Sequence, residues 1–262
     1  MYEIEPDPVP PKLPNAGAVI VRRDTEDLHG ALAADILVHA HNCVRTFGDF
    51  HLALSGGSTP LPLYRRLMVD PAYRGLPWNR THLWIVDERR VPFTDDKSNF
   101  KHIKELIADH ADIPAANVHP MRATEPDADA LYEQELQQAL AWREKGHDRL
   151  DFVLLGMGPD GHTASLFPGS PALEVNDRLV AINSGPNVTP PDRVTMTYRL
   201  INASRFIAVL VAGENKREKI AELRAGKTPV SGLPIAGIRP IGGELRWYMD
   251  AAACPPEAPP GK

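Results

Sequence analysis

Asp160 and His162 lie two positions apart, in the segment Gly156-Met-Gly-Pro-Asp-Gly-His-Thr-Ala-Ser-Leu-Phe-Pro-Gly169. Histidine gains and loses a proton near neutral pH, and an adjacent carboxylate can hold its ring in one tautomer. The pair therefore suits general acid–base chemistry. Residues 152–155 before it are all apolar and read as a buried strand. That strand stops at Gly156 and Gly158, where the backbone turns freely. A strand end that turns sharply and carries a titratable pair is where an α/β protein usually places its chemistry. The plain alternative is a glycine turn with a satisfied histidine. The formal match Gly156-x-Gly158-x-x-Gly161 to a dinucleotide fingerprint lacks its context, because Pro168 leaves no room for the long helix that should open directly after it.

Three other segments carry donors or charge at a strand end. In Leu52-Ala-Leu-Ser-Gly-Gly-Ser-Thr-Pro-Leu61, residues Ser55, Gly56, Gly57, Ser58 and Thr59 form a glycine turn before a helix that begins near Pro60. Ser58 or Thr59 is expected to cap that helix, and proline is favourable in its first turn. Free N–H groups in the turn and the helix dipole together suit an anion. No Gly-Lys-Ser/Thr follows, so this is not a Walker loop. Ser55 in Ala53-x-Ser55-x-Gly57 also approaches a nucleophile elbow, but the last histidine in the chain is His162, and no acid and later histidine are placed to complete a triad. The run His82-Leu-Trp-Ile-Val-Asp-Glu-Arg-Arg-Val-Pro92 ends in Asp87, Glu88, Arg89 and Arg90. Four charges cannot be buried cheaply, so they are expected to line a mouth or pair with one another. Finally, Arg193-Val-Thr-Met-Thr197 precedes Gly213-Glu-Asn-Lys216. Lys216 opens a helix, where a cation gains nothing from the dipole, and an anionic ligand accounts for it better than local stability does.

These segments need a scaffold that brings several strand ends together. Strands are predicted over 18–21, 50–54, 82–86, 152–155, 206–211 and 245–249, with two weaker ones over 180–182 and 194–196. Helices are predicted over 25–47, 61–69, 99–110, 128–145 and 214–224. The alternation implies an α/β fold with a mostly parallel sheet and helices on both faces. Residues 1–15 read as a flexible arm, 16–252 as a single catalytic domain and 253–262 as a flexible tail. The 262 residues are 43% hydrophobic, enough for a full core. A net charge of −5 argues against a nucleic-acid partner, though not against a local basic pocket. Cys43 and Cys254 form no metal or redox pattern, and His39 and His41 diverge on a predicted helix, so no metal is expected. Few cysteines, an acidic proline-rich start and the absence of a long apolar run fit a cytoplasmic protein with no membrane attachment and no evident obligate protein partner.

Taken together, the chain resembles the 6-phosphogluconolactonase family. The matching pieces are Ser55-Gly-Gly-Ser-Thr-Pro60, Asp87-Glu-Arg89 with Val91-Pro92 and Ser98-Asn99, the Gly156–Gly169 run, Arg193-Val-Thr-Met-Thr197 and Gly213-Glu-Asn-Lys216. The resemblance implies a Rossmann-like fold and hydrolysis of 6-phospho-D-glucono-1,5-lactone to 6-phosphogluconate in the oxidative pentose phosphate pathway, without metal or cofactor. It assigns His162 as the base toward water, Asp160 or Asp87 as the group that orients it, Arg89 to the oxyanion or the sugar hydroxyls, and the 55–59 turn with Arg193 and Lys216 to the phosphate. Glucosamine-6-phosphate deaminase looks similar at several of these places, but it carries a glutamate where this chain has Phe167. A non-catalytic sugar-phosphate sensor and a serine esterase are the remaining alternatives.

Overall fold

The computed structural model describes residues 9–15, 17–141, 143–146 and 148–256. Its main sheet has seven strands in the order β1 (Ala18–Arg22), β10 (Glu244–Asp250), β9 (Phe206–Val211), β6 (Phe152–Gly156), β2 (Phe50–Leu54), β3 (Thr81–Ile85) and β5 (Val118–His119), and every neighbouring pair is parallel. The central strands β6 and β9 are apolar for the reason parallel strands usually are: they are buried on both faces. All five residues of β2 and all six of β9 are buried.

The helices are α1 (Thr25–Phe47), α2 (Leu61–Val69), α3 (Asn99–Ile103), α4 (Ala128–Leu140), α5 (Tyr198–Ala203) and α6 (Arg217–Ala225). Helix α1 starts where the Asp24 carboxylate accepts the Asp27 N–H, and it ends at Gly48, whose φ of 90° few other residues tolerate. Two predicted helices are shorter than expected. The helix over 99–110 is α3 followed by a wider π turn over Lys104–Ala108. The helix over 128–145 stops at Leu140, because Arg143 turns inward to reach the buried carboxylates of Asp49 and Asp151. Neither Ser58 nor Thr59 caps α2: Pro60 occupies the cap position with no side-chain bond, and proline in the first turn leaves one fewer N–H to satisfy.

The chain order sets where a ligand can bind. From β2 the strands run outward through β3 to β5, and the chain then returns to β6 on the other side of β2. The crevice at the carboxyl ends of β2 and β6 is the switch point where open α/β sheets take their ligands. A second sheet roofs this crevice. It is antiparallel, in the order β4 (Asp87–Arg89), β8 (Asp192–Met196), β7 (Val180–Ser184). The weaker strands predicted over 180–182 and 194–196 belong to this sheet, and β4 was not expected at all. At the termini the expected arm and tail are shorter among the described residues. Pro11 is buried, Leu13 packs on the core, and Ala253, Cys254 and Pro255 are buried, with the Ala253 N–H held by Asp250. Residues 1–8 and 257–262 of those expectations lie outside the described residues. No helix among the described residues is long and apolar enough to cross a membrane.

Candidate active site

Two loops meet at the switch point. The glycine turn 55–59 leaves the end of β2, and the 156–170 loop leaves the end of β6. With β4, β8 and the start of α3 they enclose a cavity of about 390 Å³. Ser55, Gly56, Gly57, Ser58 and Thr59 line it from the turn, Asp87, Arg89 and Arg193 from the second sheet, and His162 from the 156–170 loop. Phe167 also lines the cavity, its ring 5.0 Å from that of His162.

Between Asp160 and Asp87, the geometry chooses Asp160 as the partner of His162. Its Oδ1 lies 2.5 Å from His162 Nδ1 and also accepts the His162 N–H at 3.1 Å. An ionised carboxylate only accepts, so Nδ1 carries a proton, and whenever the ring is neutral its lone pair is on Nε2. Burial opposes ionisation of Asp160, yet the hydrogen bond and charge of His162 outweigh it and hold the carboxyl below its ordinary value. Gly158 makes this packing possible. A Cβ at that position would lie 2.1 Å from His162 Nδ1 and 2.7 Å from Asp160 Oδ1. Asp87 is bound elsewhere: its Oδ2 accepts the Ser165 hydroxyl at 2.6 Å, so it does not orient His162.

The roof concentrates positive charge. Arg89 and Arg193 face each other across the β4–β8 pair. Opposed side chains in such a pair share a face, and like charges there are unfavourable unless an anion joins them. Arg193 is 4% exposed and lies over the Phe167 ring, while Arg89 is fastened by its Nη1 to Lys97 O at 2.6 Å. Ser55 does not present itself as a nucleophile. Its hydroxyl is buried and donates to Leu154 O at 2.7 Å. Lys216, expected among the phosphate partners, does not line the cavity. It is half-buried beside the Asp160 charge, and burial pulls its amine below the ordinary value. Asn99 lines the cavity, as the Ser98-Asn99 motif could have suggested.

One ligand-spaced group exists among the described residues, far from the cavity at the other end of the strands: Asp49, His51 and His82. No histidine spacing in the sequence pointed to it. Its hydrogen bonds already account for it. The Trp84 indole, a donor only, gives its N–H to His51 Nδ1 at 3.0 Å, so the His51 proton sits on Nε2 and goes to Asp49 Oδ2 at 3.1 Å. Arg143 occupies the other Asp49 oxygen.

Comparison with known proteins gives the family of the chain. The family model described as glucosamine-6-phosphate isomerases/6-phosphogluconolactonase matches residues 23–247. The chain belongs to that family. It is 43% identical over 235 residues to a human protein named GDH/6PGL endoplasmic bifunctional protein, covering 86% of this chain but 29% of that one. A 6-phosphogluconolactonase of Nostoc sp. is 41% identical over 221 residues, with 83% of this chain and 89% of that protein covered. Among solved structures, a 6-phosphogluconolactonase of Thermotoga maritima superimposes with a TM-score of 0.75 at 31% identity, over 89% of this chain and 99% of that one. The chain thus spans less than a third of the bifunctional relative and most of the single-function ones. A monomeric glucosamine-6-phosphate deaminase, at 21% identity and a TM-score of 0.74, shares the fold.

Proposed function

We propose that this chain hydrolyses 6-phospho-D-glucono-1,5-lactone to 6-phospho-D-gluconate. The observation that carries the reading is a single cavity with an oriented histidine on one wall and, on the others, an N–H-rich glycine turn and two opposed arginines. A lactone is an activated ester, so one positioned base suffices. Nε2 of His162 takes a proton from water as its oxygen bonds to C1, and the carbonyl electrons move onto the oxygen. Arg89 is placed to stabilise that charge. The intermediate then expels the ring oxygen, which takes the proton from His162, leaving a free hydroxyl and a carboxylic acid that loses its proton to solvent. Asp160 holds the ring through both steps and stabilises its protonated form. The phosphate is assigned to the 55–59 turn at the start of α2, with Arg193 as the charge partner. We place the protein in the cytoplasm, with no metal or cofactor in the reaction.

Deaminase chemistry is less well supported. The place where the resemblance calls for a glutamate holds Phe167, which is 3% exposed and brings no ionisable group. The test is to offer the purified protein 6-phosphogluconolactone and glucosamine 6-phosphate in parallel. Lactone turnover above the spontaneous rate is expected. Ammonia release from the amino sugar without lactone turnover would overturn the reading.

A further inference from the structure

Glu88 was expected to line a mouth or to pair with its charged neighbours. It turns the other way and is fully buried. Among the described residues no lysine, arginine or histidine forms an ion pair with it. Its Oε1 accepts the N–H groups of Arg89 at 2.8 Å and Asn99 at 2.7 Å, and its Oε2 accepts the Phe100 N–H at 2.7 Å and the Ser98 hydroxyl at 2.9 Å. Burial pushes its carboxyl above the ordinary value, and these four donors work against that. Two stretches of chain converge on this one group: β4, which carries Asp87 and Arg89 on its cavity side, and the 98–100 segment.

The second stretch reaches the glycine turn. Asn99 Nδ2 donates to Asp87 O at 2.7 Å, and its Oδ1 rests against Gly56 so closely that a Cβ there would lie 1.8 Å away. The residue just before the segment, Lys97, supplies the carbonyl that holds the Arg89 guanidinium. Asn99 thus spaces the segment from the turn, and Glu88 spaces the segment from β4.

We infer that Glu88 is a positioning residue: its carboxylate fastens β4 to the 98–100 segment and thereby sets the distance between the Arg89 guanidinium and the anion-binding turn at Gly56. It touches no reacting atom, and no contact connects it to the His162–Asp160 pair. Its loss should therefore appear in substrate binding, through the turn, and in the chemical step only through Arg89.

This inference rests on the proposed lactonase reading, and the experiment separates the two. Wild type, Glu88→Gln and Ser98→Ala are compared for kcat and KM on 6-phosphogluconolactone and for thermal midpoint. Gln keeps the volume but turns an NH₂ toward N–H donors. Ser98→Ala removes one donor to the carboxylate, together with the Oγ that accepts the Lys101 N–H at the start of α3, and keeps the charge. Glu88→Gln should raise KM by about tenfold, through the turn, and lower kcat by a similar factor, through Arg89, with a smaller KM rise in Ser98→Ala. A purely structural role would lower the midpoint and the active fraction but leave KM alone, and that result overturns the inference. If Glu88→Gln does not fold, Ser98→Ala decides, and an unchanged KM there overturns it. If wild type does not hydrolyse the lactone, the functional reading has failed. The foldable variants are then titrated with inorganic phosphate: weaker binding than wild type still supports the role of Glu88, and equal binding overturns it.

Discussion

Gly158→Ala isolates the catalytic pair from the rest of the fold. Gly158 has an ordinary backbone conformation, so alanine costs nothing there through φ. Its methyl, however, would sit 2.1 Å from His162 Nδ1, 2.2 Å from His162 Cε1 and 2.7 Å from Asp160 Oδ1, where ordinary contact begins at 3.4 Å. The loop must give, and the imidazole must retreat by roughly 1 Å or the Asp160 bond must break. Misplacing a reacting group by about 1 Å typically costs on the order of 10²-fold in rate, or roughly 2.7 kcal/mol of barrier. The turn 55–59 and both roof arginines are untouched, so KM should stay within about threefold of wild type. His162→Ala sets the ceiling, since a positioned general base contributes about 10²–10⁴-fold. The assay couples 6-phosphogluconate formation to a dehydrogenase and subtracts spontaneous lactone opening. A folded Gly158→Ala protein with wild-type kcat would show that the His162–Asp160 pair is not what the reaction depends on.

Three other outcomes follow from the same geometry. Arg193→Ala should raise KM for the phosphorylated lactone by a loss on the order of 2 kcal/mol, the worth of a charge-assisted contact, whereas Lys216→Ala should raise it less; equal rises would move the phosphate toward the Lys216 side. Ser55→Ala should lose one buried hydrogen bond, about 1 kcal/mol of stability in a urea melt, and keep its turnover; abolished turnover would restore the serine as a nucleophile. His82 is pushed down to about 4 by burial first and then by the His51 and His119 charges, so it stays neutral in the folded protein while its unfolded form protonates near 6.5. A lowered histidine stabilises above its unfolded value and loses that stability as pH falls. Unfolding free energies from urea melts should therefore drop between pH 6.5 and 4 by an amount on the order of 3 kcal/mol more in wild type than in His82→Gln, and parallel curves would remove His82 from acid denaturation.

Local signals made the scaffold legible. Helix α1 could be read to its last residue because Asp24 and Gly48 bracket it, and the buried strands could be read because parallel strands need continuous apolar runs. The candidate site was legible where its chemistry sits on one segment, as with Asp160 and His162, or on one turn, as with 55–59. What remained hidden depends on pairing across the chain. Asp87-Glu-Arg89 has no strand pattern; it becomes β4 because Thr195, Val194 and Arg193 offer it a partner. That pairing puts Arg89 opposite Arg193, which no spacing between residues 89 and 193 could announce. The choice between Asp160 and Asp87 was likewise a matter of reach. Ser165, from the same loop as His162, takes the Asp87 carboxylate at 2.6 Å and leaves the histidine to Asp160. Glu88 is the sharpest case. Four adjacent charges imply a solvated mouth, because an isolated buried carboxylate costs several kcal/mol. The cost is met by three backbone N–H groups and one hydroxyl that converge only in the folded chain. A charge can be assigned to the outside from its neighbours in sequence only when no N–H groups are free to solvate it inside. Here the start of α3 supplies them, and the residue that looked most like surface became the pin between two walls of the site.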